Sequence, residues 1–451
     1  EANGIEIPTL CYIAEVKAYG ACGLCTVEVE GVPKLLRACS TKVNDGMVVH
    51  TQTERVKASR KVALELLLSD HTGDCVAPCS KACPAGTDCQ GYVGLIANGE
   101  YTEAVKLIKE KLPLPASIGR ICPHPCEKKC RRQYVDEPIS IAFLKSFVAD
   151  IDLNGDTYIP EIEPDTNKKV AIIGAGPAGL SCAFYLAEKG YSPVIFEKNE
   201  KPGGMLRYGI PSFKLEKDVI DAEIDIIKAM GVEIKCGVEV GKDVTLDELR
   251  AQGYKAFYIA IGCQGGRKAG IPGEDAEGVM TAVDFLRTVG ADESYPVTGK
   301  AVVVGGGNVA IDVARTAQRC GAESVSMFCL EPRDKMPASE EEIAEALEED
   351  VAINCGWGPK EVITENGKVT GIVFKRCVSV WDAEGRFAPT YDENDTQTIP
   401  CDRVFLSIGQ SILWGDLLKG SKVQLGRGNG AVADSLTYQT AEPDIFVGGD
   451  V

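Results

Sequence analysis

Two stretches of the chain share one rhythm of apolar and polar positions. Residues 169–197 and 300–331 each run from a buried apolar strand through a glycine-rich turn into a helix-spaced stripe, then into a second apolar strand. The repeat reads as a duplicated nucleotide-binding unit, and the strand–helix alternation from residue 168 to the end is the α/β signature. Before it the pattern changes. Residues 1–55 carry short β-like runs ("CTVEVEGV", "GMVVHT"), and 56–69 show helical spacing. Residues 70–150 are helical, with "YTEAVKLIKEKL" as an amphipathic helix stopped by prolines, and 152–167 form a polar, proline-containing linker. "ASEEEIAEALEED" opens with a capping box, Ser339 with Glu342; Ile343 and Leu347 mark its expected buried stripe, leaving its acids as a solvated face.

At 451 residues the chain has room for two to four domains. A net charge of −18 and a pI near 4.8 argue against nucleic acid and against anionic membrane surfaces. No apolar run reaches the length of a membrane span, and residues 1–20 show no signal-peptide pattern. The opening "NGIEIPTLC" reads as the middle of a domain, and "FVGGDV" stops where a helix is expected, so a longer polypeptide is anticipated. Eleven of the nineteen cysteines fall in the first 130 residues. In a large chain of cytoplasmic character, such clustering points to metal or redox work rather than to disulfides.

Cys11, Cys22, Cys25 and Cys39 are separated by ten, two and thirteen residues, with glycines around the central CxxC. A zinc ribbon seldom uses such unequal spacing; a [2Fe–2S] ferredoxin loop does. "IPTLCYIAEVKAYGACGLCTVEVEG" and "LLRACSTKVNDGMVV" resemble the N-terminal ferredoxin domain of the large iron–sulfur subunit of respiratory complex I and of related hydrogenases. That resemblance implies a β-grasp [2Fe–2S] domain over residues 1–55. "LLLSDHTGDC" is similar to the same subunit, where a histidine and three cysteines hold a [4Fe–4S] cluster. "CSKACPAGTDCQGYV" with "GRICPHPCEKKCRRQYVDEPISI" resembles instead the helical two-cluster domain of the glutamate synthase small subunit, dihydropyrimidine dehydrogenase and the ferredoxin-linked transhydrogenases.

The second resemblance implies two [4Fe–4S] clusters in 56–151. Cys75, Cys79 and Cys130 would share one, and Cys83, Cys122 and Cys126 the other, with His71 and Cys89 left for the two open positions. The cations Lys128, Lys129, Arg131 and Arg132 flank Cys130 and read either as a solvated face or as charges that raise a cluster potential.

"KKVAIIGAGPAGLSCAFYLAEKGYSPVIFEKNEKPGGMLRYGIPSF" carries Gly174, Gly176 and Gly179, with Glu197 placed 23 residues after Gly174 to accept from a ribose hydroxyl. "KPGGMLRYGIP" and "DIFVGGD" resemble FAD-binding elements of the glutamate synthase small subunit, which implies Gly204, Met205, Arg207, Gly449 and Asp450 near the flavin. Gly262 and Gly409 would lie on crossover strands. The sole CxxC of the chain, Cys22/Cys25, is remote from this motif, which disfavours thiol chemistry at the flavin. "GKAVVVGGGNVAIDVARTAQRCGAESVSMFCLEPRDKMPA" repeats the plan with Gly305, Gly307, Asn308 and Ala310 for NAD(P). Where NADPH-using relatives carry paired arginines this chain has Leu330 and Glu331; the carboxylate favours NADH, while Arg333 remains within reach of a phosphate.

The fold expected is therefore multidomain. A [2Fe–2S] domain (1–55) and a helical iron–sulfur domain (56–151) precede two Rossmann-like domains of disulfide-reductase type: FAD-binding over 168–285 and 403–451, and NAD(P)-binding over 286–402. The function expected is electron transfer between NAD(P)H and an iron–sulfur chain through FAD, with no acid–base residue required. Partners would be iron–sulfur or flavin subunits, or ferredoxin, in a transhydrogenase, hydrogenase or formate dehydrogenase complex, with electron bifurcation within reach. Two other readings stay open: the NADPH-oxidising subunit of a glutamate-synthase-like complex, and a relay or scaffold subunit with inactive nucleotide sites.

Overall fold

The computed structural model describes residues 4–14, 16–71 and 75–451. It divides into two compact units, Glu1–Lys81 and Ala82–Val451. Among the described residues no helix is long and apolar enough to cross a membrane.

In the first unit, strand Thr26–Val29 pairs antiparallel with Leu36–Arg37 on one side and Val49–His50 on the other. Its inward positions, Val27 and Val29, are buried. Thr53 caps helix Glu54–Ser69 by accepting from the Val56 N–H. Arg60 on that helix donates to the Thr26 carbonyl at 2.7 Å, and Val56 is fully buried. These contacts pack the first helix of the expected 56–151 domain against the sheet of residues 1–55.

The second unit begins with helices Cys89–Ala97, Tyr101–Lys109, Pro115–Ile121 and Ile141–Leu153. The stretch from Asp152, expected to be a polar, proline-containing linker, is anchored at its start. Asp152 is buried, accepts from Lys109 Nζ at 2.9 Å and takes the Tyr158 N–H at 2.8 Å. Buried Glu223, on helix Lys217–Ala229 beside the first nucleotide sheet, accepts the N–H groups of Ala116 and Ser117 at 2.6 and 3.0 Å. It thereby supplies acceptors to a helix N-terminus that has no side-chain cap of its own.

Both nucleotide sheets are parallel and have five strands. The first orders Ile445–Val447, Ala256–Ile259, Lys169–Ile173, Ser192–Glu197 and Glu233–Cys236. The second orders Ala352–Cys355, Ser324–Cys329, Lys300–Val304, Arg403–Leu406 and Val279–Thr281. This moves the expected domain limits. Val279–Thr281 and Arg403–Leu406 were assigned to the FAD domain, yet Arg403–Leu406 pairs with Lys300–Val304 and takes Val279–Thr281 on its other edge.

The α/β alternation also breaks. Trp357–Glu365, Lys368–Trp381 and Phe387–Pro400 form an antiparallel sheet whose Val362, Ile372 and Phe374 pack on the second nucleotide sheet, Phe374 stacked on Phe328 at 4.1 Å. In helix Glu340–Glu348 the Ser339 hydroxyl accepts from Glu342 N–H, but the Glu342 carboxylate pairs with Lys214 instead of closing the box. Ile343 is buried as expected; Leu347 is half exposed, and Ala346 takes its place in the core.

Candidate functional site

The fold of the first unit gathers its four spaced cysteines. Cys25 and Cys39 sulfurs lie 3.3 Å apart, and the Cys22 N–H reaches Cys11 Sγ at 3.5 Å. Burial pushes the Cys22 thiol up, but the N–H groups of Leu24, Cys11 and Leu10 outweigh it and bring the thiol down to about 7. Glycine 23, in the left-handed region, keeps this backbone tight against Arg37. A loop that aims amides at thiolates, with four sulfurs in reach, fits a [2Fe–2S] cluster.

His71 Nε2 lies 3.5 Å from Cys75 Sγ; Thr72–Asp74 between them fall outside the described residues. In the second unit Cys130 is buried, and its sulfur accepts the Ile139 N–H at 3.5 Å. Cys83, Cys89, Cys122 and Cys126 together line one cavity of about 30 Å³, closed by Thr87, Tyr92, Ala142, Lys145 and two prolines. The Cys126 thiol is brought down to about 7, first by the hydrogen bond from Cys89, against burial. Among the described residues no three His, Cys, Asp or Glu side chains close tightly enough to hold a single metal ion. A cubane carries its irons at separate corners, so ligands that line a cavity suit it better than they suit one zinc ion. The donor set, four cysteines on one cavity wall, fits a [4Fe–4S] cluster.

The first glycine turn borders a cavity of about 320 Å³ lined by Gly174, Gly176, Glu197, Gly204, Met205, Gly262 and Asp450, with Gly449 beside it. Gly174 sits at φ +106°, and a Cβ on Gly179 would lie 2.0 Å from the Gly174 carbonyl oxygen. Turn and helix therefore touch through backbone alone, which sets the N-terminus of helix Pro177–Glu188 against the cavity. Glu197 ends its strand at 3% exposure, accepts from Ala175 N–H at 2.7 Å and Asn199 N–H at 2.8 Å, and keeps lone pairs for a hydroxyl. The cavity fits a dinucleotide such as FAD. Arg207, expected near the cofactor, does not line it: its guanidinium is buried against the Pro202 carbonyl and the Asp221 carboxylate. Gly409 pairs through its carbonyl with Arg267 N–H, beside the short Gly265–Gly266 strand.

At the second turn Gly305 has φ +143°, and a Cβ on Gly307 would meet nothing within 4 Å, leaving open space in front of the helix. Ala310 is buried in the third position. The Glu331 carboxylate lies beside Gly306, 3.2 Å from where its Cβ would be. Arg333 is engaged by Glu340 at 3.0 Å, which lessens its pull on a phosphate. Sequence reasoning missed the return loop: Ala338 N–H donates to the Gly306 carbonyl, and Asn308 Oδ1 accepts the Ser339 N–H at 2.9 Å.

Three family models match the chain end to end. They are a 2Fe-2S iron-sulfur cluster binding domain over 1–54, dihydropyrimidine dehydrogenase domain II (4Fe-4S cluster) over 50–157, and pyridine nucleotide-disulphide oxidoreductase over 168–451. The NADP(+)-dependent formate dehydrogenase subunit beta of Moorella thermoacetica is 38% identical over 83% of this chain and 56% of its own length. The NADPH-Fe(3+) oxidoreductase subunit beta of Geobacter sulfurreducens is 39% identical over 74% of this chain and 51% of its own. The chain thus spans little more than half of these relatives. PreT, the NAD-dependent dihydropyrimidine dehydrogenase subunit of Escherichia coli O157:H7, is 38% identical over 83% of this chain and 85% of its own. The solved structure of Mycobacterium tuberculosis FprA with NADPH shares the fold (TM-score 0.53, 20% identity, 64% of this chain and 79% of that one).

Fold, cavities and family models define a flavoprotein of pyridine-nucleotide oxidoreductase type joined to iron–sulfur cluster domains. The chain belongs to the pyridine nucleotide-disulphide oxidoreductase family, in the form that joins this flavoprotein to [2Fe–2S] and [4Fe–4S] domains.

Proposed function

We propose that the chain is the electron-converting subunit of a larger complex, passing electrons between NAD(P)H and iron–sulfur carriers. One observation carries this: a dinucleotide cavity and a cavity of four thiols occur in one compact unit, joined by a short helix. That helix, Pro115–Ile121, is held at its N-terminus by Glu223 and ends on Cys122.

When bound, FAD exchanges hydride with a nicotinamide and single electrons with clusters. The chain's own residues bind and orient. Glu197 and the turn Gly174–Gly179 would hold the adenosine half of FAD, with Gly204, Met205, Gly262, Gly449 and Asp450 around the rest. Gly305, Gly307, Asn308 and Ala310 would hold the nicotinamide nucleotide, and Glu331 would accept from a 2′-hydroxyl and repel a 2′-phosphate, so NADH is the preferred donor. Cys11, Cys22, Cys25 and Cys39 would hold the [2Fe–2S] cluster, and Cys83, Cys89, Cys122 and Cys126 one [4Fe–4S] cluster; His71, Cys75 and Cys79 in the first unit, and Cys130 in the second, are the remaining candidate [4Fe–4S] ligands.

The partner is an iron–sulfur or flavin subunit, or a ferredoxin-type carrier. The named relatives favour a formate-dehydrogenase-type assembly. A glutamate-synthase-type partner is disfavoured by the [2Fe–2S] domain at residues 1–54, which such a subunit does not need. Ligand thiolates suit a reducing compartment such as the cytoplasm.

Anaerobic stopped-flow mixing of the reconstituted protein with NADH, and separately NADPH, tests the proposal. Flavin bleaching followed by cluster EPR signals is the expected result, faster with NADH. If neither nucleotide bleaches the flavin, the chain is a relay or scaffold and the enzymatic reading fails.

A further inference from the structure

Helix Ile141–Leu153 buries Ile141, Ala142, Lys145, Val148, Ala149 and Asp152 along one face. Asp152 is answered by Lys109. Lys145 is not so answered. It is 7% exposed, yet among the described residues it makes no ion pair and donates no hydrogen bond to another side chain or carbonyl. Its side chain lines the cavity walled by Cys83, Cys89, Cys122 and Cys126. A buried ammonium is costly unless negative charge faces it, and on these walls the groups able to supply that charge are the thiols.

We propose that Lys145 is the built-in counter-charge of the [4Fe–4S] cluster held by these cysteines and raises that cluster's reduction potential. The inference rests on the cluster reading of this cavity. Reduction adds one electron and no proton to a cluster that is already anionic, so a fixed cation at the wall stabilises the reduced form more than the oxidised one. The four cations around Cys130 differ in kind: Lys128, Lys129, Arg131 and Arg132 are exposed, where water and salt screen them.

The test is an EPR-monitored redox titration of the full chain with reconstituted clusters, comparing wild type with Lys145→Gln, Lys145→Met and Lys145→Arg. Signals perturbed by Cys89→Ser identify the cluster concerned. Expected for both neutral variants are wild-type iron and sulfide content and a reduced-to-oxidised ratio about tenfold lower at the wild-type midpoint, a shift of about 59 mV for one electron. Lys145→Arg should stay within about twofold of wild type, and the other clusters should not move. Neutral variants that titrate with wild type overturn the proposal, as does an arginine variant that shifts as far as they do. Loss of the cluster from both neutral variants, with arginine retaining it, would also overturn it, making Lys145 an assembly residue. Failure of the underlying reading looks different: Cys89→Ser and Cys126→Ser would then leave iron content and every EPR signal unchanged.

Discussion

The two nucleotide units share a plan and differ in how firmly it is fixed. In the first, Glu197 is buried and bound to Ala175 and Asn199, and the turn is so tight that Gly179 has no room for a Cβ. In the second, Glu331 is partly exposed, no described residue donates a hydrogen bond to its carboxylate, and Ala310 replaces the third glycine. The tight turn suits a ligand that stays, and the open one suits a ligand that comes and goes. The same motif thus encodes residence or exchange through the rigidity of its acid and third position.

The sharpest way to break this contrast is Gly179→Val, which places side-chain atoms against the Gly174 carbonyl. It should cost about 3 kcal/mol or more and yield protein purified without flavin; a variant with full flavin content would refute the close-packed turn. Next, Glu197→Ala strands the buried Ala175 N–H and should cost about 2–3 kcal/mol in denaturant melts, whereas Glu331→Ala should stay within about 0.5 kcal/mol. Equal losses would erase the distinction. Glu331→Ser should then move the ratio of kcat/KM for NADPH over NADH upward about tenfold, or 1.4 kcal/mol, with FAD content unchanged; an unaltered ratio would remove Glu331 from coenzyme choice.

The smallest effect concerns Asp312, which stands where the first unit has Ser181. Burial raises its carboxyl to about 6, against the pull of Lys214. A folded value above the unfolded one means that its contribution to stability is complete below about pH 4 and is lost as pH rises through about 6. Between pH 5 and 7 the wild type should lose roughly 1 kcal/mol relative to Asp312→Asn. Parallel pH profiles would show that the aspartate does not titrate there.

The glycine turns, their helices and their terminal acids were legible because backbone geometry demands those residues at those spacings. The cysteine sets were legible as sets, although Cys89 joined its cavity only once the helix Cys89–Ala97 was placed beside Cys122 and Cys126. The sheet membership of two short strands was not legible. Val279–Thr281 and Arg403–Leu406 are too short to declare which sheet they join, and long-range pairing decides it. Arg207, placed near the flavin by resemblance to a family motif, has a partner that the motif does not show: Asp221, fourteen residues away in sequence. Lys145 did leave a trace: with Ile141, Ala142, Val148 and Ala149 it falls on the apolar stripe of its helix.

Helix Pro115–Ile121 has a consequence for motion. Its first turn is gripped by Glu223 of the flavin domain, and Arg120 near its end is clasped by Glu216 of that domain and by Asp150. Sliding Cys122 away from the flavin domain would strip two buried N–H groups of their acceptors, at about 1–3 kcal/mol each. Under the proposed function, the gap between flavin and the cluster at Cys122 would be set by this helix, and domain rocking during nucleotide exchange would have to pivot elsewhere to leave it unchanged.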